Sequence, residues 1–196
     1  MALRVEPLTA GALGRALPDL ARLRITVFRD WPYLYEGTLA YEQGYVTTFA
    51  ASEGAVIVAA FDGERIVGAA TASPMIGRAD AFAEPFKARG YDVARIFYFG
   101  ESVLLPDYRG QGVGVAFFEH REAHARSLGR FTHATFCGVV RSDDHPRRPA
   151  DHVPLDAFWM KRGFRKMDGM VGSFEWPDIG ETATSAKPMQ FWMKAL

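Results

Sequence analysis

The chain has one cysteine, Cys137, and no excess of charge of either sign. A single thiol excludes an internal disulfide framework and fits a reducing compartment. Lysine plus arginine number 23, as do aspartate plus glutamate. That balance argues against general nucleic-acid binding, which needs a basic excess to displace counterions. No apolar run approaches membrane-spanning length, and the N-terminal MALRVEPLTAG lacks the apolar core of a signal peptide. The expected setting is the cytoplasm, with neither membrane nor nucleic acid as partner. Repeats, low-complexity tracts and linkers are also missing, so one domain over residues 1–196 is the simplest division. With 48 % of its 196 residues apolar, the chain can bury a substantial core.

Periodicity then orders the chain. LRVEPL (Leu3–Leu8) alternates as a half-buried strand does. Thr9 is a candidate cap, and Pro18 suits the first turn of a helix running to about Arg29, with Leu20, Leu23 and Val27 on one face. A second helix is expected over Thr38–Phe49, turning Leu39, Val46 and Phe49 one way. AVIVAAFDGERIVGAATAS reads as a hairpin about Asp62-Gly63. ADAFAEPFKARG suggests a short helix interrupted by Pro85. A strand over Ala94–Leu105, a glycine turn, a helix over Gly112–Leu128 and a strand over Phe131–Val140 follow. A helix near Pro154–Arg162 precedes two final strands, around Met167–Trp176 and Met189–Lys194. The order β-α-α-β-β-α-β-α-β-α-β-β predicts a mixed α/β layer fold with a large antiparallel part.

The sharpest local feature is YRGQGVG (Tyr108–Gly114), where a strand hands over to a helix. A helix start leaves backbone N–H groups without partners at the positive end of its dipole. Glycines there remove the Cβ atoms that would keep an oxygen-rich ligand away. Gly110, Gly112 and Gly114 thus suggest backbone donors from about Gln111 through Val113 to Val115, with Arg109 as an added cation, facing a phosphate. Two nucleotide readings fail on spelling. The dinucleotide pattern G-x-G-x-x-G would need glycine at Val115. The triphosphate loop needs a Lys-Ser/Thr pair that is not present.

LLPDYRGQGVGVAFFEH (Leu104–His120) resembles the acyl-CoA-binding signature of the GNAT superfamily of N-acyltransferases, [QR]-x-x-G-x-[GA], with Arg109, Gly112 and Gly114 at its fixed places. FWMKRGF (Phe158–Phe164) is similar to a second, looser block, and the element order matches that fold. The resemblance implies a central mixed, mostly antiparallel sheet of six to seven strands, flanked by helices and splayed at the strand before the turn. It implies that the turn grips the diphosphate of coenzyme A while Val103, Leu104 and Leu105 pair with the pantetheine arm. Acetyl-CoA, or a related acyl-CoA, is then the co-substrate, and no metal is called for.

Acyl transfer to an amine needs a neutral nitrogen, so a site must remove a proton from an ammonium group. Glu101, a lone carboxylate in an apolar strand and on the face of Val103 and Leu105, is the candidate base, directly or through a water. The plainer alternative is a charge tucked against a neighbouring arginine or exposed at a bulge. The N–H of Val103 or Leu105 is a candidate donor to the thioester oxygen. Many members of the resembled family place a tyrosine four residues before the Gly-Phe pair. Trp159 stands there instead and cannot act as an acid near neutrality. His152 is a substitute, unless the thiolate leaves unprotonated.

The stretch FRDWPYLYEGTLAYEQGY (Phe28–Tyr45) sets aromatics beside carboxylates, which suits an amine-bearing acceptor. Tyr33, Tyr35 and Glu36 are its candidate acceptor contacts. His120 and His124 in HREAH lack a zincin spelling and read as edges of a packing face. Cys137 reads as a small buried hydrophobe.

The sequence therefore points to transfer of an acetyl group to a small-molecule or peptide amine. A silent acyl-CoA-sensing module and a GNAT-like interaction partner that binds no CoA are the alternatives. A homodimer through the late strands is compatible with the pattern.

Overall fold

The computed structural model describes residues 3–8, 10–76 and 80–196. A short strand, β1 (Arg4–Pro7), precedes two helices, α1 (Ala10–Phe28) and α2 (Leu39–Ala50). The hairpin β2 (Val56–Asp62) and β3 (Arg65–Pro74) leads through α3 (Asp80–Lys87) to β4 (Ile96–Leu104). Then come α4 (Val113–Ser127), β5 (His133–Val139), α5 (Asp156–Lys161), β6 (Arg165–Trp176) and β7 (Ser185–Ala195). The element order is the one expected from periodicity.

The seven strands form one sheet, ordered β1-β2-β3-β4-β5-β7-β6. Only β4 and β5 run parallel, so the sheet is mixed and mostly antiparallel. Helices cover both faces, because strands central to a sheet are apolar on both sides. On one face α4 and α5 bury a ring-rich core that includes Phe97, Phe99, Phe117, Phe118, Phe136 and Phe164. On the other, α1 and α2 pack Leu20, Leu23, Val46 and Phe49 against Ile57, Ala69 and Val103. α3 extends that second layer over Ile96, Tyr98 and Phe191.

Several boundaries differ from expectation. α1 begins at Ala10, so Pro18 lies inside it rather than in its first turn. Burial of Ala16, Leu20 and Leu23 along one face outweighs the single amide bond Pro18 forgoes. Thr9, the expected cap, lies outside the described residues. Thr38 does cap α2, accepting the Tyr41 amide at 3.4 Å. The buried face of α2 is Glu42, Val46 and Phe49, while Leu39 is 42 % exposed. Asp62 pairs with Arg65, so the hairpin turn is Gly63-Glu64, with Gly63 at φ 61°. α3 continues through Pro85 instead of breaking there. The last two strands start earlier than predicted, at Arg165 and Ser185.

Candidate active site

The site begins where the sheet parts. β4 and β5 pair only at Ile96–His133, Phe97–Ala134 and Tyr98–Thr135, and then separate. Past Tyr98, β3 is the one strand paired with β4 among the described residues. The Leu105 amide donates to Val67 O at 3.0 Å, which fixes the alternation along that pair. Val103 and Leu105 turn their polar groups to β3, and Leu104 turns its N–H and C=O into the gap. Leu104, not Val103 or Leu105, therefore offers the backbone donor expected there. An amide-bearing chain in the gap would pair with these groups as an added strand does.

At the end of β4 the chain makes the glycine turn. Gly110 and Gly112 have φ of 75° and 82°, a region that penalises any Cβ. Gly112 is the N-cap of α4, and open space surrounds both positions. Gly114 is glycine for another reason, because a Cβ there would lie 3.3 Å from the Phe158 ring of α5. The Val113 side chain is buried in the core, which fixes the first turn of α4. Among the described residues, the amides of Gln111, Gly112, Val113 and Gly114 have no internal acceptor. The Val115 amide already donates to Gly112 O at 3.0 Å, so the cluster of donors ends one residue earlier than expected. Gln111 is tied back to Asp107 O at 3.0 Å, and Arg109 is exposed beside the turn. A cradle of free amides at the start of a 15-residue helix fits an anion such as a diphosphate.

Glu101 reaches the opposite face by a bulge. The register of β3 and β4 shifts between Ala70–Ser102 and Ala72–Phe99, so Thr71 faces both Gly100 and Glu101. Phe97 and Phe99 point to the α4 side, yet Val103 points to the α1–α2 side. The extra residue inverts the alternation and swings Glu101 with it. The Thr71 hydroxyl accepts the Glu101 amide at 3.2 Å.

The Glu101 carboxylate is not isolated. It forms an ion pair with Arg24 of α1, whose other partner is the fully buried Glu42 of α2. The Tyr45 hydroxyl donates to its second oxygen at 3.3 Å. Burial opposes the charge on Arg24, but the fields of Glu101, Tyr45 and Glu42 prevail and raise its pKa above the ordinary arginine value. The neighbouring arginine of the plainer reading is present; the bulge is too, but the Glu101 side chain there is only 8 % exposed.

These groups line a cleft of about 230 Å³. Tyr33 and Tyr35 form one wall, Phe174 and Trp176 another, and Tyr98, Gly100 and Cys137 the floor beside the β4–β5 gap. Burial pushes the Tyr33 phenol up, and burial together with Glu42 does the same for Tyr35. Glu36 does not line the cleft. It is exposed, paired with Arg29, and its amide donates to Pro177 O at 3.3 Å. Besides Glu101, the described acidic residues that line the cleft are Glu42 and Glu175.

The tyrosine-bearing segment is strapped to the β6–β7 connection. Arg141 donates to Pro32 O and Tyr33 O and forks onto both Asp178 oxygens at 2.7 and 2.8 Å. Trp176 Nε1 donates to Tyr33 O, and Ile179 N to Leu34 O. Buried Leu34 sits at φ 55°, a strained conformation that these contacts hold in place.

The remaining candidates lie elsewhere. Trp159 packs its indole against Phe136, Trp192 and Gly138. His152 stands 5.8 Å from the Trp31 ring and does not line the cleft. His124 contacts Gly54 O and the Phe97 ring, and no group of three metal-ligating side chains occurs among the described residues. Buried Cys137 is 3.2 Å from the Tyr98 hydroxyl.

Sequence reasoning missed Arg24, while Glu42 and Tyr45 lie within the aromatic and acidic stretch it assigned to the acceptor. Arg24 carried a usable signal, a cation four residues after Leu20 and three before Val27 on the apolar face of α1.

A strand-splayed sheet, an amide-lined turn and a cleft meeting at the gap are the parts of an acetyltransferase. A family model described as the acetyltransferase (GNAT) family matches residues 20–164, and the chain belongs to that family. Solved structures share the fold. A GNAT-family acetyltransferase from Streptococcus pneumoniae is 16 % identical, with 100 % of each chain covered and a TM-score of 0.61. An aminoglycoside 6'-N-acetyltransferase complexed with coenzyme A is 14 % identical, covering 98 % of this chain and 96 % of its own, at a TM-score of 0.63. A ribosomal-protein-alanine N-acetyltransferase from Brucella melitensis is 14 % identical over 100 % of both chains, at 0.59. No curated protein sequence matches the chain.

Proposed function

We propose that this acetyltransferase moves an acetyl group from acetyl-CoA to the primary amine of a compact, cationic acceptor, by direct attack while both are bound. The observation that carries the proposal is the bulge at Gly100–Glu101, which delivers a carboxylate onto the cleft face where β4 leaves β5. The amides of Gln111–Gly114 and the Arg109 guanidinium would hold the diphosphate, and the gap edge at Leu104 would pair with pantetheine amides. When bound, acetyl-CoA supplies the activated acyl carbon.

The acceptor enters as an ammonium ion and loses one proton to Glu101, directly or through a water. Its nitrogen then forms the C–N bond as the C–S bond breaks, and a second N–H proton passes to solvent. The thiolate leaves and takes up a proton. Trp159 cannot supply it, so no dedicated acid is needed if the thiolate departs as such. Among the described residues lining the cleft, Glu42, Glu101 and Glu175 stand against one cation, Arg24, and tyrosine faces surround them. Both features favour a cationic acceptor. Alignment of two substrates across the gap contributes much of the acceleration.

A second reading, an acyl-CoA-sensing module without turnover, is favoured by the Arg24 ion pair on Glu101 and by Trp159. A panel of amines at saturating acetyl-CoA, followed by free-thiol release, separates the two. Thiol release above buffer hydrolysis with at least one amine is expected. Binding of acetyl-CoA without release for any amine would favour the sensor.

A further inference from the structure

Arg121, on the third turn of α4, is 1 % exposed, and its guanidinium lies against the rings of Phe99 and Phe118, at 4.4 and 4.8 Å. Its Nε donates to Phe117 O one turn back in the helix. Its Nη1 reaches across to the sheet, 3.4 Å from Thr71 O and 3.5 Å from Glu101 O. Its Nη2 has no hydrogen-bond partner among the described residues. Burial pulls this guanidinium down to about 9, against the opposing fields of Glu101 and Glu122.

A buried cation with one close carbonyl in its own helix, two at 3.4 and 3.5 Å across the sheet and one nitrogen unsatisfied is a poor device for stability. An apolar side chain of similar length would fill the same space without the desolvation penalty. The two carbonyls it approaches are informative. They belong to Thr71 and Glu101, two of the three residues that make the β3–β4 bulge. A bulge leaves backbone polar groups out of the ladder, and Arg121 supplies donors to them from below.

We propose that Arg121 is a positioning residue: it clamps the Gly100–Glu101 bulge from the α4 side and thereby keeps Glu101 aimed into the acceptor cleft. The same helix whose first amides face the donor turn thus carries the group that fixes the carboxylate across the sheet. The inference rests on the reading of Glu101 as the base.

The test compares wild type, Arg121→Met, Arg121→Lys and Glu101→Gln. Four quantities are measured: melting temperature, acetyl-CoA affinity by calorimetry, steady-state kinetics with the best amine, and amide hydrogen exchange along residues 97–103. Arg121→Met is expected to melt within a few degrees of wild type and to bind acetyl-CoA within about threefold. Its kcat should fall at least about tenfold, and the Glu101 amide should exchange about tenfold faster as the bulge loosens. Arg121→Lys, which keeps a donor for the carbonyls, should lie between the two.

Unchanged exchange and unchanged kcat in Arg121→Met would overturn the proposal. So would losses of kcat that only follow a collapse in melting temperature in both arginine variants, since that marks a structural role. If Glu101→Gln turns over like wild type, the base reading falls on its own. The exchange data then decide whether Arg121 holds the bulge.

Discussion

Gly100 and Thr71 share one small space. A Cβ on Gly100 would lie 2.4 Å from Thr71 Oγ1, the hydroxyl that accepts the Glu101 amide. The bulge therefore exists only because one strand gives up a side chain where the other inserts a hydroxyl. Gly100→Ala should force the two apart, destabilising the protein by about 1–3 kcal/mol. It should also slow turnover more than Thr71→Ser, which keeps the hydroxyl. Melting curves and kcat for both variants check this.

Glu101→Gln keeps the shape of the side chain but removes the proton acceptor and the charge that pairs with Arg24. Turnover should fall by about 10²-fold or more, while acetyl-CoA affinity stays near that of wild type. Equal activity would remove Glu101 from the reaction.

The strap behind Tyr33 should respond to acid. Burial alone would raise the Asp178 carboxyl, but hydrogen bonds and charge from Arg141 and Lys187 outweigh it and leave the group below its usual range. Such a carboxylate adds stability that is complete above the ordinary pKa of about 4 and is lost as the pH falls through its lower folded value. Asp178→Asn should therefore cost about 3 kcal/mol at neutral pH. The gap between variant and wild-type melting temperatures should narrow steadily below about pH 4. The variant should also raise KM for the amine, because Tyr33 loses its anchor.

Sequence pattern and resemblance together carried the element order, the family and the glycine turn, because periodicity and punctuation are local. What escaped them depends on partners distant along the chain. Pro18 looked like a helix start, since its packing against the sheet is invisible in a window of residues. Glu36 and Glu42 were equally acidic in the sequence, and only the turn of α2 toward Arg24 separates a surface pair from a cleft wall. Nothing in a window of residues marks Gly100 or Arg121 as part of the bulge, because both meet Thr71 on the neighbouring strand. The gap donor is Leu104 rather than Val103 or Leu105 because a strand's hydrogen-bond phase is set by its neighbour.

In the proposed function, free amides at the start of α4 hold the diphosphate of acetyl-CoA. Calorimetric titration of wild type and Gly112→Ala with acetyl-CoA tests it most directly. Gly112 has φ 82°, so alanine strains the turn by about 1–2 kcal/mol. Saturable one-to-one binding well below about 1 mM is predicted, weakened roughly tenfold in the variant. No heat of association at millimolar acetyl-CoA, or equal affinity for both proteins, would contradict the account.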